Sequence, residues 1–315
     1  MKYKNVYISD KYSLLASTRF SPIVKDNVDV CIDDYYLGMK VVELAESTYQ
    51  EKTIGALLKN SKVDLLVSGD LQNQILSSTL ASSKYKIPTL GIYSACASFI
   101  EGLIIASEFV SYKNNVIVCS SSHNLVSEKT FRFPVEYGAL RKRVNTCTAS
   151  GSISILLSNK KSNIKVESST IGFITRTNHK DANDMGSAMA PACAEVLFKH
   201  LNEMNREASY YDLILTGDLG IYGCLIMKDY FYKLSGYKID DVIDAGSIFY
   251  KDKNIYAGAS GPVCLPLVLF DYIIPMKKYK KILVIGTGSL HTVTSSNLGL
   301  TIPSIAHAVS LEVRY

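Results

Sequence analysis

Cys96 is the residue best placed to do chemistry. It stands in the stretch Gly91-Ile92-Tyr93-Ser94-Ala95-Cys96-Ala97-Ser98, and Phe99, Ile100, Leu103, Ile104 and Ala106 follow at helical spacing. The pattern predicts a buried helix opening near Ala95, with Cys96 in its first turn. Unpaired backbone N–H groups and the positive end of the helix dipole favour a thiolate there, the nucleophilic form of sulfur. The competing reading makes Cys96 one small buried residue at a crowded helix start. A histidine would complete a nucleophile pair, and His123 and His291 both follow closely on apolar runs that read as strands. Each can equally be a loop histidine held by hydrogen bonds.

The rest of the chain sets the bounds. Its 315 residues suffice for two domains or two halves of one, and the net charge of +5 is spread among interspersed acids and bases. The dense basic runs, Arg141-Lys142-Arg143 and Lys277 to Lys281 interrupted by Tyr279, read as solvated faces. No motif supports nucleic-acid binding, whereas contact with an anionic membrane or ligand stays open. The seven cysteines form no CxxC pair and no zinc spacing, which predicts reduced thiols and no metal site. No signal peptide is evident after Met1-Lys2-Tyr3, and the longest apolar run, Val263 to Pro275, is too short to span a bilayer.

The order of elements repeats. Val63-Asp64-Leu65-Leu66-Val67-Ser68-Gly69-Asp70-Leu71 reads as a buried strand with a turn at its end, and Tyr211-Asp212-Leu213-Ile214-Leu215-Thr216-Gly217-Asp218-Leu219 nearly copies it. The interval from Cys96 to Cys119 equals that from Gly261 to Val284, so a helix-then-strand module recurs at matched length. Two βαβ-rich copies predict an α/β fold of duplicated halves, residues 1–160 and 161–315, with parallel strands covered by helices. Ligands in such sheets gather beyond the carboxyl ends of the strands, where Asp70, His123, Asp218 and His291 fall.

Duplicated βαβαβ halves with a cysteine on the first central helix resemble the thiolase and ketosynthase superfamily. A closer resemblance covers nearly the whole chain. His123-Asn124, Phe131-Arg132-Phe133-Pro134, Glu136-Tyr137-Gly138, Asp184-Met185-Gly186-Ser187-Ala188, Thr216-Gly217-Asp218-Leu219-Gly220, Ala257-Gly258-Ala259-Ser260-Gly261 and Ile305-Ala306-His307-Ala308 resemble the stage V sporulation protein AD (SpoVAD) family. The resemblance implies a thiolase-like five-layer α-β-α-β-α sandwich and a homodimer in spore-forming bacteria. It implies binding of dipicolinic acid (pyridine-2,6-dicarboxylate), free or as the calcium chelate, during uptake into the developing spore. It further implies work with SpoVA membrane proteins and a peripheral place at the inner membrane of the spore or forespore. Two departures stand out: the loop between Leu14 and Asp33 is not Gly-rich, and Tyr256 occupies a place where a histidine is expected.

Thiolases supply a second histidine and a second cysteine, and here those places hold roughly Ile255-Tyr256 and Val284-Ile285. The expectation is therefore a fold that kept the pocket and lost the reaction, with Cys96 a vestigial nucleophile and no cofactor beyond calcium carried with the ligand. The rivals are a cysteine-dependent acyltransferase or ketosynthase using Cys96, and a scaffold whose pocket is vestigial. A planar diacid calls for forked donors and an apolar slot. Candidate ligand-binding residues are Cys96, His123, Arg132, Asp218 and His291, with Arg176 and His179 weaker. Arg132 can instead pair with Glu128 or Glu136. Asp70 and Asp218 read as turn-capping, although Asp218 can meet calcium if a chelate binds. The strand Asn115 to Ser120 is the candidate dimer edge.

Overall fold

A computed structural model of the chain describes residues 1–16, 20–131, 142–252 and 254–315. The first half runs β1 (Tyr7–Ala16), β2 (Val30–Ile32), α1 (Val42–Leu58), β3 (Leu65–Gly69), α2 (Leu76–Ser83), β4 (Thr89–Gly91), α3 (Ser98–Phe109), β5 (Asn115–Ser122), α4 (Asn124–Phe131), β6 (Cys147–Thr148) and β7 (Gly151–Ser158). The second runs β8 (Ile164–Ile171), β9 (Thr175–Arg176), α5 (Met185–Met204), β10 (Leu213–Thr216), α6 (Gly220–Ser235), β11 (Val242–Asp244), α7 (Ala245–Phe249), β12 (Ala259–Ser260), α8 (Cys264–Val268), β13 (Lys281–Ser289), α9 (Val293–Asn297) and β14 (Pro303–Val313). After α8 the chain passes through a π turn, Leu269–Ile273, and a 3-10 turn, Ile274–Met276.

Among the described residues ten strands form one path, β11-β10-β13-β14-β8-β1-β7-β5-β3-β4, whose halves mirror each other about the antiparallel β8–β1 contact at Tyr7↔Lys165 and Ile8↔Ile164, while β2 pairs with β1, β9 with β14, and β6 with β12 in a separate two-stranded sheet. The sheet is mixed, which corrects the expectation of parallel strands. β3, β4 and β5 run parallel, as do β10, β11 and β13, because a helix crosses over between them. β7 and β14 return antiparallel beside β5 and β13, with the short helices α4 and α9 in the intervening chain.

Helices complete the layers. α1 covers β1, β5 and β7 on one outer face, and α5 covers β8, β13 and β14 on the other. Between the halves, α3 touches β3 and β5 on one side and β13 and β14 on the other, so most of it is buried and its Phe99 meets Phe270 edge-on at 6.3 Å. The central core draws Val67, Phe99, Leu103 and Val118 from the first half and Leu215, Leu265, Val284 and Val309 from the second. Local signals fix the outer helices. Asp184 caps α5 by accepting from Ser187 N at 3.2 Å, Asp244 caps α7 through Ser247 N at 2.9 Å, and Gly236 ends α6 in the left-handed region at φ 79°.

Two expectations are corrected at this level. The helix opens at Ser98 rather than near Ala95, because Ala95 holds φ 51° and Ser94 bridges to Cys96, so Cys96 sits in the turn before the helix. β5 is no dimer edge, because β3 and β7 occupy both its hydrogen-bonding sides; the exposed edge of the first half is β4.

The outer pair α5 and α6 depends on backbone-to-backbone approach. A Cβ at Gly223 would fall 2.7 Å from the Gly186 carbonyl carbon and oxygen. Gly223→Ala should therefore cost about 1–3 kcal/mol through overpacking, read as a lower urea midpoint with unchanged slope; an unchanged midpoint would show that the helices separate freely.

Candidate functional site

Beyond the carboxyl ends of β3, β5 and β13 lies a cleft of about 40 Å³ whose wall includes Leu71, Cys96, Ser127, Phe131, Thr148, Ser289 and His291. The backbone explains the set. Ser127 and Phe131 are one turn apart on α4, so they face the same way. His291 follows directly on β13, and the turn before α3 delivers Cys96 from between the halves. The space is a slot, well below the roughly 300–1,000 Å³ of an ordinary small-molecule pocket. A larger open groove of about 690 Å³ lies near the carboxyl end of α5, but its Arg206 is engaged with Tyr211, Ser310 and Glu167.

The Cys96 thiol is pushed well above its ordinary value, first by burial and then by the Asp218 carboxyl. The backbone N–H groups of Gly261 and of Cys96 itself act in the opposite direction, and burial wins. Among the described residues no histidine is hydrogen-bonded to this sulfur, so the expectation of a helix-stabilised thiolate is corrected: the sulfur rests as a thiol.

Asp218 is fully buried at φ 67°, and neither carboxyl oxygen has a hydrogen-bond partner. The thiols of Cys96 and Cys264 lie beside it but are weak donors. Burial first, then the charge of Asp244, pushes Asp218 well above the carboxylate range, so it rests as a neutral acid. Its twin differs. Asp70 accepts from Gln72 N at 2.8 Å, Ser78 N at 2.8 Å and Ser78 Oγ at 2.7 Å, which makes it a capping residue as the sequence suggested. In the second half that service falls to Asp244, which accepts from Thr216 Oγ1, Leu219 N, Gly220 N and Ser247 N.

The histidines divide. His291 binds Ser289 Oγ through Nδ1 at 3.0 Å, lies 5.3 Å from the Phe131 ring, and leaves Nε2 buried without a partner. Burial lowers its pKa, so it is neutral near pH 7. His123 is not on the cleft wall, which corrects its assignment to the ligand. Its Nδ1 accepts from Leu125 N at 3.1 Å, its Nε2 donates to Tyr35 O at 3.0 Å, and its ring stacks on Tyr49 at 5.8 Å, so no ring nitrogen is left over. Arg132 lies outside the described residues. Arg176 donates to Thr301 Oγ1 on the surface, and His179 bonds Asp181 O at 3.1 Å.

Sequence reasoning missed Ser127, whose Oγ is buried and unpaired, and the polar lining of Thr148 and Ser289. The i, i+4 relation of Ser127 to Phe131 was the available signal. No group of three metal-ligating side chains occurs among the described residues, and none of their helices is long and apolar enough to cross a membrane.

A sequence model of the stage V sporulation protein AD family matches residues 3–312. The chain belongs to this family. Stage V sporulation protein AD of Bacillus subtilis (strain 168) is 35% identical over 314 residues, covering 94% of this chain and 93% of that protein. A role in sporulation follows. The fold is thiolase-like: cerulenin-bound OleA of Xanthomonas campestris matches with a TM-score of 0.61 at 15% identity, covering 99% of this chain and 100% of that one. The 3-oxoacyl-(acyl carrier protein) synthase III of Pseudomonas aeruginosa PAO1 matches at 0.61 and 10% identity, covering 99% of each chain. That of Aquifex aeolicus VF5 matches at 0.53 and 14%, covering 98% of this chain and 97% of the other.

The buried acid gives a pH signature. Asp218 is protonated in the fold and ionised in the unfolded chain above about pH 4, so the native state binds more protons and stability falls as pH rises from there. Asp218→Asn removes that loss. The variant should melt above the parent at pH 8, with the gain shrinking towards pH 4; a gain independent of pH would mean that Asp218 is ionised in the fold.

Proposed function

We propose that this SpoVAD family member is a non-catalytic binding protein for dipicolinic acid, free or as its calcium chelate. It supports uptake of the diacid into the developing spore with SpoVA membrane proteins, and it is held peripherally at the inner membrane. The observation that carries the non-catalytic reading is the state of Cys96: a buried thiol beside a buried neutral acid, with no histidine bonded to it among the described residues. Carbon–carbon bond formation by a thioester enzyme needs a nucleophilic sulfur, and a sulfur held as a thiol supports the binding reading.

The binding reading rests on polar groups that lack partners. Ser127 Oγ and His291 Nε2 are buried in the cleft wall without hydrogen bonds among the described residues, and such groups cost free energy until a ligand or water engages them. The Phe131 ring beside them offers a flat apolar contact, and Arg132 follows it directly in sequence. Calcium, when present, travels with the ligand. The exposed edge β4 is the surface through which a homodimer would pair.

A second reading, a cysteine-dependent acyltransferase using Cys96, is favoured by the Gly261 and Cys96 N–H groups that face the sulfur and would stabilise negative charge on it.

Titration calorimetry with dipicolinate tests the first reading. His291→Ala and Ser127→Ala should each weaken binding about fivefold, the effect of roughly 1 kcal/mol per lost hydrogen bond, while Cys96→Ala changes little. Absence of binding by the parent chain would end this reading. Incubation with an acyl thioester followed by intact-mass measurement should show no adduct; a stoichiometric adduct that disappears in Cys96→Ser would establish the enzyme instead.

A further inference from the structure

The basic run Lys277 to Lys281 belongs to a larger surface at the end of the sheet opposite the cleft. Backbone contacts join the loops there into one continuous edge. Asn115 Nδ2 donates to Lys62 O at 2.7 Å, Asn115 pairs with Ser158 across β5 and β7, Arg314 N donates to Asn163 O at 2.8 Å, and Val313 N donates to Lys280 O at 2.8 Å. The loops of that edge carry Lys59, Lys62, Lys113, Lys160, Lys161, Lys277, Lys278 and Lys280, all exposed. Among the described residues none of these has a carboxylate within ion-pair distance.

Acids on the same edge are already committed. Asp64 accepts from Asn115 N, Asp212 accepts from the backbone N–H groups of Lys280 and Lys281, and Glu312 pairs with Lys281 and Arg314. Between the lysines, Tyr112 is 83% exposed, Tyr315 49% and Met276 47%. The two loops that follow the central helices, Ser111-Tyr112-Lys113-Asn114 and Lys277-Lys278-Tyr279-Lys280, present the same pairing of tyrosine with lysine.

We propose that this lysine edge docks the protein on an anionic lipid bilayer, with the tyrosines and Met276 at headgroup level and the cleft turned away from the membrane; the inference rests on the peripheral-membrane part of the reading above. Flexible point charges on separate loops suit a diffuse anionic surface. The free cations include no arginine fork of the kind that reads phosphates or bases individually. Interleaved tyrosines match the composition of membrane interfaces, where the ring is apolar and the hydroxyl is wet.

Flotation with vesicles tests it. The parent chain should rise with vesicles of phosphatidylglycerol and phosphatidylcholine in equal parts, stay behind with phosphatidylcholine alone, and be released by added salt. Lys160→Glu/Lys161→Glu/Lys277→Glu/Lys278→Glu should partition at least about tenfold more weakly, while Lys52→Glu/Lys180→Glu/Lys238→Glu/Lys251→Glu, matched in charge, keeps parental binding. Circular dichroism melts establish that both variants are folded. A parent chain that ignores anionic vesicles, a first variant that floats like the parent, or retention of duplex DNA by these lysines while vesicles leave the protein in solution would each overturn the proposal. Dipicolinate calorimetry without vesicles reports on the ligand separately. Retained ligand binding without flotation removes only the lysine edge, and flotation without ligand binding removes only the diacid.

Discussion

The site depends on how closely the turn before α3 approaches the opposite half of the molecule. A Cβ at Gly288 would fall 2.1 Å from Ser94 O, and one at Gly286 would fall 2.6 Å from Ile100 Cγ1, so β13 must be bare of side chains where the turn and helix press on it. On the other flank a Cβ at Gly69 would meet Ile92 O at 2.8 Å. The turn is clamped between backbones, and within the clamp Ala95 adopts the left-handed conformation that costs a non-glycine residue about 1–2 kcal/mol. That strain, sustained by central packing around Phe99, Leu103 and Val284, aims Cys96 at the cleft rather than into the helix.

Two Gly-Asp-Leu turns stand at matching places in the two halves of the sheet, and the structure uses them differently. In the first half Asp70 is fully bonded and lies within a buried polar layer, where burial and the charge of Asp70 push Glu46 up to about 8 while Gln72 and Ser121 bind its oxygens. In the second half Asp218 has no such partners, because Asp244 already caps the neighbouring N–H groups of Leu219 and Gly220. One copy of the turn holds the scaffold, and the other is free to shape the site.

Much of this was legible in the sequence, for identifiable reasons. The repeat of strand and turn at Val63 and Tyr211 announced the doubled architecture, because buried strands read as unbroken apolar runs. The opening of α3 was misread because nothing in the local sequence marks Ala95 for the left-handed conformation it adopts, in a turn whose Ser94 carbonyl presses on Gly288 of β13 from the other half. β1 extends to Ala16, beyond the short strand its first residues suggest, because pairing with β7 resumes at Asp10 after a register shift between Ile8 and Asp10. His123 looked like a cleft residue from its place after β5, but Tyr35 and Tyr49, which immobilise it, come from segments distant in sequence. Sheet order is likewise invisible locally, which is why β5 passed for an edge.

The charge state of the cleft follows from these placements. Cys96, Cys264 and Asp218 are three acids buried together; the Asp218 carboxyl raises the cost of ionising both thiols, while Asp218 itself is raised first by burial and then by the charge of Asp244. Only N–H dipoles from Gly261 and Cys96 face the thiol, and a dipole offsets less than the full desolvation cost of a buried anion. Burying the trio in neutral form avoids that cost, and it leaves the sulfur shaped like a nucleophile but held as a thiol. Making it reactive would require a cation or an imidazole where Asp218 now stands.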